Sequence, residues 1–442
     1  MAHKYHIITY GCQMNKSDSE RIESVLGDLG MKSTSEPGEA DFIIINTCSV
    51  RQSAEDRVYG QVKNFRALKK NNPKLIIGVT GCMVGRDKKK EFLKKMPNVD
   101  LYFTIDDLPQ LPRMIHGLNS EIGKIDIDKD YLKISPKYNN NFQAFVTIET
   151  GCDKFCSYCV VPHARGAVRH RPVADIMDEI RQLAKNDCLE ITLLGQTVNN
   201  FKAKDPKNFS KANPFKDHFA ALLWEVNQIP GIERINWTAP HPNHMTDEVI
   251  EALKLPHQVN YIHLPVQSGN NDILKKMNRS YTAKDYLEVI KKIKKARPGI
   301  AIGTDIIVGF PSETVEQFND TVKLYKEVEF DISYTAIYSS RSGTAAAKAY
   351  RDDVPRDEKK RRWYELGELM EKITFEKNQK YKDREVSVLV EGYKEGRCYG
   401  RSNEMKLCEF GTPGDLTGRR ISVIIESPQT WILLGKICKK DE

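Results

Sequence analysis

The sequence predicts an α/β protein with three parts: an N-terminal domain built on a parallel sheet, a central partial (β/α)6 barrel, and a small C-terminal antiparallel β-barrel. Two observations carry this prediction. Apolar runs alternate with helical stretches up to about residue 372, and shorter alternating runs separated by glycine-rich turns follow. A polar stretch without a periodic apolar pattern, Asp126–Asn141, is typical of a linker and separates the N-terminal domain from the central barrel. The predicted domains are therefore 1–135, 142–372 and 373–442.

The N-terminal segment repeats one pattern, in which a β-branched apolar run ends in a short polar turn that carries a cysteine. Helical stretches lie between the runs, at Ser17–Leu29 and Val50–Lys70. Continuous apolar runs are typical of strands buried on both faces, and strand–helix alternation predicts a parallel sheet. Because parallel strands end at one edge of a sheet, the cysteines are expected to converge there. The runs are Tyr5–Tyr10, Phe42–Ile45 and Leu75–Val79, and the cysteines are Cys12, Cys48 and Cys82.

The central segment contains six further strand candidates, most of them separated by helical stretches such as Asp175–Lys185 and Ala283–Lys295. Six βα units fit an open relative of the eight-fold barrel, whose site lies at the C-terminal ends of the strands. The strands are Ala144–Glu149, Glu190–Leu194, Arg234–Thr238, Tyr261–Val266, Ile300–Val308 and Ile332–Tyr338. Polar residues follow every one of them, which indicates a shared pocket. These residues are Cys152, Gly195-Gln196, His241, Gln267-Ser268-Gly269, Pro311-Ser312-Glu313 and Arg341.

The C-terminal segment consists of short alternating runs, VSVLVEG (386–392), ISVIIES (421–427) and TWILLGK (430–436). Such runs separated by glycine-rich turns predict a small antiparallel β-barrel. Its arginines are candidates for contacts with phosphates, although acidic residues nearly balance their charge. They are Arg397, Arg401, Arg419 and Arg420.

The composition excludes several classes of protein. With 442 residues, 40% of them hydrophobic and 29% charged, the chain is typical of a folded globular protein rather than a disordered one. No apolar run approaches the roughly 20 residues that a membrane span needs, and the N-terminus lacks the features of a secretory signal. We therefore expect a cytoplasmic protein without a membrane partner. The formal charge of +8 permits a nucleic-acid partner without indicating one.

The ten cysteines point to metal binding, redox chemistry or burial, because a cytoplasmic chain rarely holds a disulfide framework. The loop GCDKFCSYC places Cys152, Cys156 and Cys159 in a compact C-x3-C-x2-C pattern. Zinc prefers four ligands, and His163 stands four residues after the last cysteine, so a structural zinc site is one interpretation. The other, which the accessible polar loop favours, is a four-iron cluster on three thiolates, with one iron left open for a substrate or cofactor.

The same argument applies to the N-terminal cysteines. Three thiolates at converging strand ends would again hold a four-iron cluster with one open iron. The other four cysteines occur singly, and we interpret them as structural. They are Cys188, Cys398, Cys408 and Cys438.

The C-x3-C-x2-C pattern at the start of a βα barrel is the hallmark of radical S-adenosylmethionine (radical SAM) enzymes. With the N-terminal cysteines and the small C-terminal barrel, the chain resembles the radical SAM methylthiotransferase family over essentially its whole length. The motifs are most similar to those of the branch that acts on isopentenylated (dimethylallylated) adenosine in tRNA. They are YGCQMN (10–15), NTCSVR (46–51), VTGCM (79–83), GCDKFCSYCVVPHARG (151–166), LLGQTVN (193–199), LPVQSG (264–269), TDIIVGFP (304–311) and YSSRSGT (338–344).

The resemblance implies a central radical-SAM barrel, a TRAM-like C-terminal barrel that binds tRNA, and two 4Fe-4S clusters. Cys152, Cys156 and Cys159 would hold the cluster that binds S-adenosyl-L-methionine, whose reductive cleavage gives a 5′-deoxyadenosyl radical. The N-terminal cysteines would hold an auxiliary cluster that carries the sulfur to be inserted at C2 of an adenine. The implied partners are the tRNA anticodon stem-loop, an electron donor such as a flavodoxin or ferredoxin, and an iron–sulfur supply system.

Further site residues follow from the resemblance. Tyr158 would lie near the adenine of the cofactor, and Gln196 would contact its methionine amine. Gln267, Ser268 and Gly309 would form pocket walls. Three arginines after the cysteine loop would bind the tRNA backbone or the cofactor carboxylate, or only carry surface charge. They are Arg165, Arg169 and Arg171.

The sequence departs from the family pattern at two positions. Ser312 stands where the family usually has glycine, which puts the local loop geometry in doubt, and His170 stands where serine is commoner. Two other functions remain open. One is the same chemistry on a threonylcarbamoyl-type adenosine or a ribosomal protein aspartate, and the other is a non-catalytic, zinc-stabilised RNA-binding protein.

Overall fold

The computed structural model describes residues 2–49, 52–122 and 130–438. The predicted start of the second helix at Val50, the end of the NTCSVR motif and the beginning of the predicted linker lie outside the described residues. No helix in the described parts of the chain is long and apolar enough to cross a lipid bilayer.

The N-terminal domain is built on a parallel sheet with the strand order β2-β1-β3-β4-β5. Its strands are β1 (Lys4–Tyr10), β2 (Lys32–Ser33), β3 (Phe42–Thr47), β4 (Ile76–Gly81) and β5 (Leu101–Tyr102). Its helices are α1 (Gln13–Asp28), α2 (Gln52–Asn71), α3 (Cys82–Arg86) and α4 (Leu111–Leu118). The long strands coincide with the predicted apolar runs, whereas the two-residue strands β2 and β5 were not predicted.

Alternate side chains of β3 show why this sheet is buried on both faces. Phe42 and Ile44 pack in the core cluster that contains residues of α1 and α4, and Ile43 and Ile45 pack in the cluster that contains residues of α2. A continuous apolar run is therefore required, as is usual for a parallel sheet. Tyr131 is also buried in the first cluster, whereas Tyr138 packs against the core of the central barrel, so the described part of the predicted linker contacts both domains.

The central domain forms the predicted partial barrel from two parallel sheets, β6-β9-β10 and β11-β12-β13. A parallel bridge between Ile235 and Gln258 connects them. Each of the six predicted strands has a counterpart. The strands are β6 (Gln143–Thr147), β9 (Glu190–Leu194), β10 (Arg234–Trp237), β11 (Tyr261–His263), β12 (Ala301–Val308) and β13 (Ile332–Ile337), with β7 (Glu149–Thr150) and β8 (Arg169–His170) forming a short antiparallel pair beside them.

Helices cover the outside of the barrel and bury its apolar outer face. They are α6 (Val173–Lys185), α7 (His218–Asn227), α8 (Asp247–Ala252), α9 (Asn271–Lys276), α10 (Ala283–Ala296), α11 (Val315–Val328) and α13 (Arg356–Gln379). Two further short helices of this domain, α5 (Val161–Arg165) and α12 (Ala345–Ala349), do not contribute to this core cluster. The last helix runs continuously past residue 372, where the sequence places a domain boundary.

The C-terminal segment forms a closed barrel with the strand order β14-β15-β16-β18-β17. Its pairs are antiparallel except for β16 and β18, which are parallel, so the predicted all-antiparallel arrangement is wrong at this one pair. The strands are β14 (Glu385–Lys394), β15 (Arg397–Ser402), β16 (Leu407–Gly411), β17 (Arg420–Pro428) and β18 (Leu433–Ile437).

The two outer domains contact opposite ends of the central barrel. In the N-terminal domain, Ser17 Oγ lies 3.1 Å from Thr147 Oγ1 at the end of β6, and Arg86 Nη1 donates to the carbonyl of Ser342 beyond β13 at 3.0 Å. This domain therefore spans the open side of the barrel near its mouth. The C-terminal barrel instead contacts the opposite ends, where Arg234 at the start of β10 donates to the carbonyl of Arg401 at 2.9 Å.

Candidate functional site

The loop that carries Cys152, Cys156 and Cys159 begins directly after β7, at the mouth of the barrel. Gly151 has a φ of +81°, and a Cβ at this position would lie only 2.1 Å from the carbonyl oxygen of Ala167. Glycine is therefore required for the loop to turn here. The backbone then folds back on itself, with Cys159 N donating to the carbonyl of Cys156 at 2.9 Å.

The three thiols line one cavity of about 140 Å³ together with residues from the other strand ends. Of the predicted pocket residues, Tyr158, Gln196, His241 and Gln267 line this cavity. The sequence did not single out the other lining residues, although four of the seven lie within the quoted motifs. They are Lys154, Val161, Thr197, Ala239, Pro240, Pro265 and Arg279.

Each thiol of this loop has a different polar neighbour. Cys152 Sγ lies 3.5 Å from Thr197 Oγ1, Arg279 Nη1 donates to Cys156 Sγ at 3.2 Å, and Val161 N donates to Cys159 Sγ at 3.4 Å. Burial raises the pKa of the Cys159 thiol to about 12 and also raises the pKa of Cys152. For Cys152 and Cys159 the neutral thiol is thus favoured near pH 7, and a bound cation would favour the thiolate form that a cluster needs.

Glu149 fixes one wall of the cavity, and sequence reasoning missed it. Its carboxylate is fully buried, and Oε1 accepts hydrogen bonds from Gln196 N at 3.1 Å and Thr197 N at 2.8 Å. A Cβ at Gly195 would lie 2.6 Å from the Glu149 side chain, so the glycine lets the carboxylate reach this loop. His170, one of the two departures from the family pattern, places Nδ1 3.1 Å from Glu149 Oε2. The available signal was an acidic residue at the end of an otherwise apolar run.

Several predicted pocket residues lie elsewhere. Ser268 and Gly309 do not line the thiol cavity. Ser268 is fully buried, and its Oγ accepts from Asn270 N at 3.2 Å at the start of α9. Gly309 N donates to Glu313 Oε2 at 2.7 Å, and Glu313 in turn forms a buried ion pair with Arg362 at 2.7 Å. These contacts stabilise the rim of the barrel.

Arg341 and His163 are also placed differently from the prediction. Arg341 binds the N-terminal domain through the carbonyl of Ser49 and the side chain of Gln52. His163 is exposed and lines a separate cavity of about 400 Å³ between the two domains, so its placement does not fit a fourth ligand beside Cys159. In the described ranges, no three or more histidine, cysteine, aspartate and glutamate side chains are grouped so as to hold a single metal ion. An iron–sulfur cluster does not need such a group, because each of its thiolates binds a separate iron.

The N-terminal cysteines lie at one edge of the sheet, as the strand ends predict. The ends of β1, β3 and β4 are in register, and Cys48 N donates to the carbonyl of Tyr10 at 2.6 Å. A Cβ at Gly11 would lie 2.9 Å from Cys48 Cβ, so glycine lets the turn before Cys12 approach Cys48 closely. Cys12 is exposed, whereas Cys48 and Cys82 are buried. The thiol of Cys12 is near enough to help raise the pKa of Cys82, although burial is the larger cause.

A network of amides positions the first of these cysteines. Asn15 Oδ1 lies 3.4 Å from Cys12 N and 3.5 Å from its Sγ, and Asn15 Nδ2 donates to Asn46 Oδ1 at 3.1 Å. Asn46 Nδ2 donates to Ser19 Oγ at 3.0 Å. Both asparagines belong to the quoted motifs, but the motifs alone gave no role for them. Their function here is to lock α1 against the end of β3.

The two cysteine regions are packed directly against each other through α3 and α5. A Cβ at Gly85 of α3 would lie 2.0 Å from the carbonyl oxygen of Ala164 of α5. Arg165 of α5 forms a buried ion pair with Asp18 of α1, with Nη2 2.5 Å from Oδ2. Its positive charge also lowers the pKa of the Cys82 thiol, against the larger effect of burial. The three arginines predicted as ligand contacts are thus engaged within the protein. Arg165 pairs with Asp18, Arg169 with Asp106 and Asp130, and Arg171 with Glu179.

Two known protein families match separate parts of the chain, one in the N-terminal domain and one in the central barrel. Residues 4–104 match the uncharacterized protein family UPF0004, and residues 146–325 match the Radical SAM superfamily. The solved structure of the radical S-adenosylmethionine methyltransferase TsrM from Kitasatospora setae superimposes with a TM-score of 0.54 at 12% identity, covering 78% of this chain and 77% of that one. This likeness concerns the fold alone. Fold, thiol loop and superfamily match define a radical SAM enzyme, a class that uses S-adenosylmethionine and a 4Fe-4S cluster.

Full-length relatives give the particular family. The chain is 42% identical over 443 residues to the tRNA-2-methylthio-N(6)-dimethylallyladenosine synthase of Clostridium tetani. This alignment covers 98% of this chain and 96% of the relative. It is also 42% identical over 447 residues to the protein of the same name from Geobacillus thermodenitrificans, covering 99% of this chain and 84% of the relative. The chain belongs to the family of tRNA-2-methylthio-N(6)-dimethylallyladenosine synthases.

Proposed function

We propose that this enzyme inserts a methylthio group at C2 of N6-dimethylallyladenosine next to the anticodon of tRNA, giving 2-methylthio-N6-dimethylallyladenosine. The observation that carries the proposal is the 42% identity with relatives of this name over nearly the whole chain. The packing of two separate cysteine regions against each other supports it, because sulfur insertion needs both a radical source and a sulfur carrier. The target C2–H bond is too strong and too weakly acidic for side-chain acid–base chemistry.

The thiol cavity at the barrel mouth supports the placement of the first cluster. Cys152, Cys156 and Cys159 would hold a 4Fe-4S cluster, and S-adenosylmethionine would occupy the adjoining space between Tyr158 and Gln196. When bound, this cluster supplies the electron that cleaves the sulfonium of S-adenosylmethionine. The chain's own part is to orient the cofactor and exclude water, and the buried Glu149 stiffens the Gln196 wall for that purpose.

The N-terminal cysteines would hold the auxiliary cluster. Cys12, Cys48 and Cys82 come from adjacent strand ends, and the exposure of Cys12 leaves this site accessible from outside. When bound, this cluster would supply the sulfur that is transferred. The close contact between Gly85 and Ala164 would then fix the distance between the two reaction centres.

The proposal also assigns partners and location. The C-terminal barrel would bind RNA as a TRAM-like domain, with exposed aromatic side chains for base stacking and the exposed Arg419 for phosphates: Tyr393, Tyr399 and Trp431 are 37%, 40% and 51% exposed. Arg397 and Arg420 are less suited to that role, because they pair with Glu409 and Glu233. A flavodoxin or ferredoxin would supply electrons, an iron–sulfur system would renew the auxiliary sulfur, and the enzyme would act in the cytoplasm.

Nucleoside analysis of tRNA tests the proposal. A strain without this gene should lose the 2-methylthio group and retain the dimethylallyl group, and expression of the intact gene should restore the modification. The matched control is Cys438→Ser, a cysteine outside both trios, which should restore it as the intact gene does. The variant that lacks Cys152, Cys156 and Cys159 should not.

Other experimental results would support one of the alternative functions. Loss of a methylthio group only from threonylcarbamoyl-type adenosine, or from a ribosomal protein aspartate, would move the reaction to that substrate. Colourless protein containing zinc after anaerobic purification would reject the radical reaction altogether.

A further inference from the structure

A polar and aromatic cluster lines the inside of the barrel below the thiol cavity. Tyr261 and His263 come from β11, Asp305 from β12 and Tyr334 from β13. Tyr261 Oη lies 3.0 Å from His263 Nδ1, and His263 Nε2 lies 3.2 Å from Asp305 Oδ1. The rings of His263 and Tyr334 are 5.6 Å apart. The superfamily match and the motifs give no role to this cluster.

The strand pleat shows that these side chains face the lumen. Thr335 of β13 faces outward, since its Oγ1 lies 3.1 Å from Tyr325 Oη on the outer helix α11. Its neighbour Tyr334 therefore points inward, because successive side chains of a strand alternate between faces. Tyr334 pairs with Asp305 in the parallel register, so both side chains lie on the same inner face.

Gly303 makes room for the cluster. A Cβ at this position would lie 2.2 Å from Tyr261 Oη and 2.7 Å from His263 Nδ1. The missing side chain lets the tyrosine and histidine lie across β12 and reach Asp305. The backbone of β12 therefore provides the space that these side chains need to contact one another.

The cluster presents free recognition groups to the lumen. The Asp305 side chain is 40% exposed and Tyr334 is 52% exposed, although both sit inside the barrel. Asp305 Oδ2 accepts no hydrogen bond from the residues that the structure describes. A carboxylate held on one side by an imidazole and free on the other, beside an exposed ring, suits a flat heterocycle that has an N–H donor.

Asp305 is also close to the predicted reaction centre. Gln267, which lines the thiol cavity, donates its backbone N–H to the carbonyl of Asp305 at 2.9 Å. A base held at Asp305 therefore occupies the lumen directly next to that cavity.

We propose that Asp305 accepts a hydrogen bond from the N6–H of the dimethylallylated adenine, while Tyr334 stacks on the base and the Tyr261–His263 pair holds the carboxylate. This assignment rests on the proposed function for the identity of the base. An N6-alkylated adenine keeps one N6–H, which matches the single free carboxylate oxygen. Because C2 lies across N1 from C6, anchoring N6 at Asp305 turns C2 away from this carboxylate and toward the cysteine-lined mouth.

The test compares two anticodon stem-loop RNAs. One carries N6-dimethylallyladenosine, and the other carries the same base with an added N6-methyl group, so that the N–H is absent. Intact enzyme should bind the methylated RNA about tenfold more weakly, or worse, because a hydrogen bond to a charged group is lost. Asp305→Asn should bind the natural RNA about tenfold more weakly and should no longer favour it over the methylated RNA. His263→Gln should reduce the discrimination in the same direction.

Controls separate this role from a structural one. The matched variant Asp247→Asn, on the outer helix α8 where the side chain is 83% exposed, should discriminate as intact enzyme does. Iron content should be unchanged in Asp305→Asn, which would show that the variant folds and that only recognition of the RNA is lost. Equal binding of both RNAs by intact enzyme, or full discrimination by Asp305→Asn, would overturn the assignment. If intact enzyme instead makes no methylthio product on the natural RNA, the proposed function fails, while the binding comparison still decides the role of Asp305.

Discussion

The guanidinium of Arg165 lies 2.5 Å from the carboxylate of Asp18, with both side chains almost wholly buried at 4% and 0% exposure. Each residue stands six positions after a predicted cluster cysteine, Arg165 after Cys159 and Asp18 after Cys12. Tyr131 Oη also donates to Asp18, so the carboxylate has two partners. The pair therefore connects the chain segments that leave the two cysteine sites.

Removing the charge of Asp18 should be costly, because it leaves a buried guanidinium without its counter-ion. We expect Asp18→Asn to lower the free energy of unfolding by about 3 kcal/mol, the usual scale for breaking a buried pair. Guanidinium denaturation of anaerobically purified protein measures this effect. The exposed pair Asp247–Lys292, with side chains 83% and 59% exposed, provides the control. Asp247→Asn should cost less than about 0.5 kcal/mol. Equal effects of the two substitutions would contradict a structural role for the buried pair.

The contact between α3 and α5 gives a second prediction. Gly85→Ala places a methyl group 2.0 Å from the Ala164 carbonyl, so the two helices must separate. We expect this variant to retain reductive cleavage of S-adenosylmethionine and to lose most methylthio product, because the distance between the two centres changes. The ratio of product to 5′-deoxyadenosine measures this coupling.

Another helical glycine offers the matched control for that substitution. A Cβ at Gly60 of α2 meets nothing within 4 Å, so Gly60→Ala should stabilise the helix by about 0.5–1 kcal/mol and leave the ratio unchanged. An unchanged ratio in Gly85→Ala would show that the spacing of α3 and α5 does not control transfer.

The two cysteine trios should be separable by experiment. Replacing Cys12, Cys48 and Cys82 by alanine should remove half of the iron and abolish methylthio transfer. Cleavage of S-adenosylmethionine should remain, since Cys152, Cys156 and Cys159 stay intact. Iron analysis and 5′-deoxyadenosine measurement on the same sample check both statements. Loss of all iron in this variant would mean that the trios do not hold independent clusters.

The sequence predicted the fold wherever a strand is apolar along its length. β9 spans Glu190–Leu194 in both prediction and structure, because its run is buried on both faces. The strands β15 and β16 were missed. The segment RCYGRS contains few apolar residues, and LCEFG is only five residues long, so their strand form depends on pairing with each other around the closed barrel. Pairing of this kind is a tertiary effect that leaves little local signal.

The functional site, too, was predictable from the sequence only in part. Cysteines at strand ends were predictable, because the register of a parallel sheet alone brings such residues to one edge. The partners of Arg165, Arg169 and Arg171 were not predictable from the sequence. Two of these arginines are buried in ion pairs, whereas Arg169 is 35% exposed and keeps the surface position that was one of its expected roles. Arg165 and Asp18 are separated by 147 positions, so no spacing rule connects them. Opposite charges that meet only after two domains pack are visible in the structure alone.

The carboxyl group of Glu20 gives a prediction about pH. Partial burial raises its pKa from 4.5 to about 7, opposed by Arg21 and helped by the nearby carboxylates of Glu23 and Glu179. Between these two values the folded chain keeps a proton that the unfolded chain has released. Stability should therefore fall as the pH rises from about 4.5 through 7, and the loss should be complete above that window.

Glu20→Gln should remove this loss, because the amide stays neutral at every pH. We expect the variant to be more stable than the intact chain at pH 8.5, by on the order of 2 kcal/mol, and similar to it at low pH where the intact carboxyl is protonated. Denaturation midpoints measured from pH 5 to 8.5 on both proteins give the comparison. The exposed Asp178 of α6, whose side chain is 74% exposed, provides the control, and Asp178→Asn should leave the pH profile unchanged. A constant difference between Glu20→Gln and intact protein across this range would show that Glu20 does not titrate there.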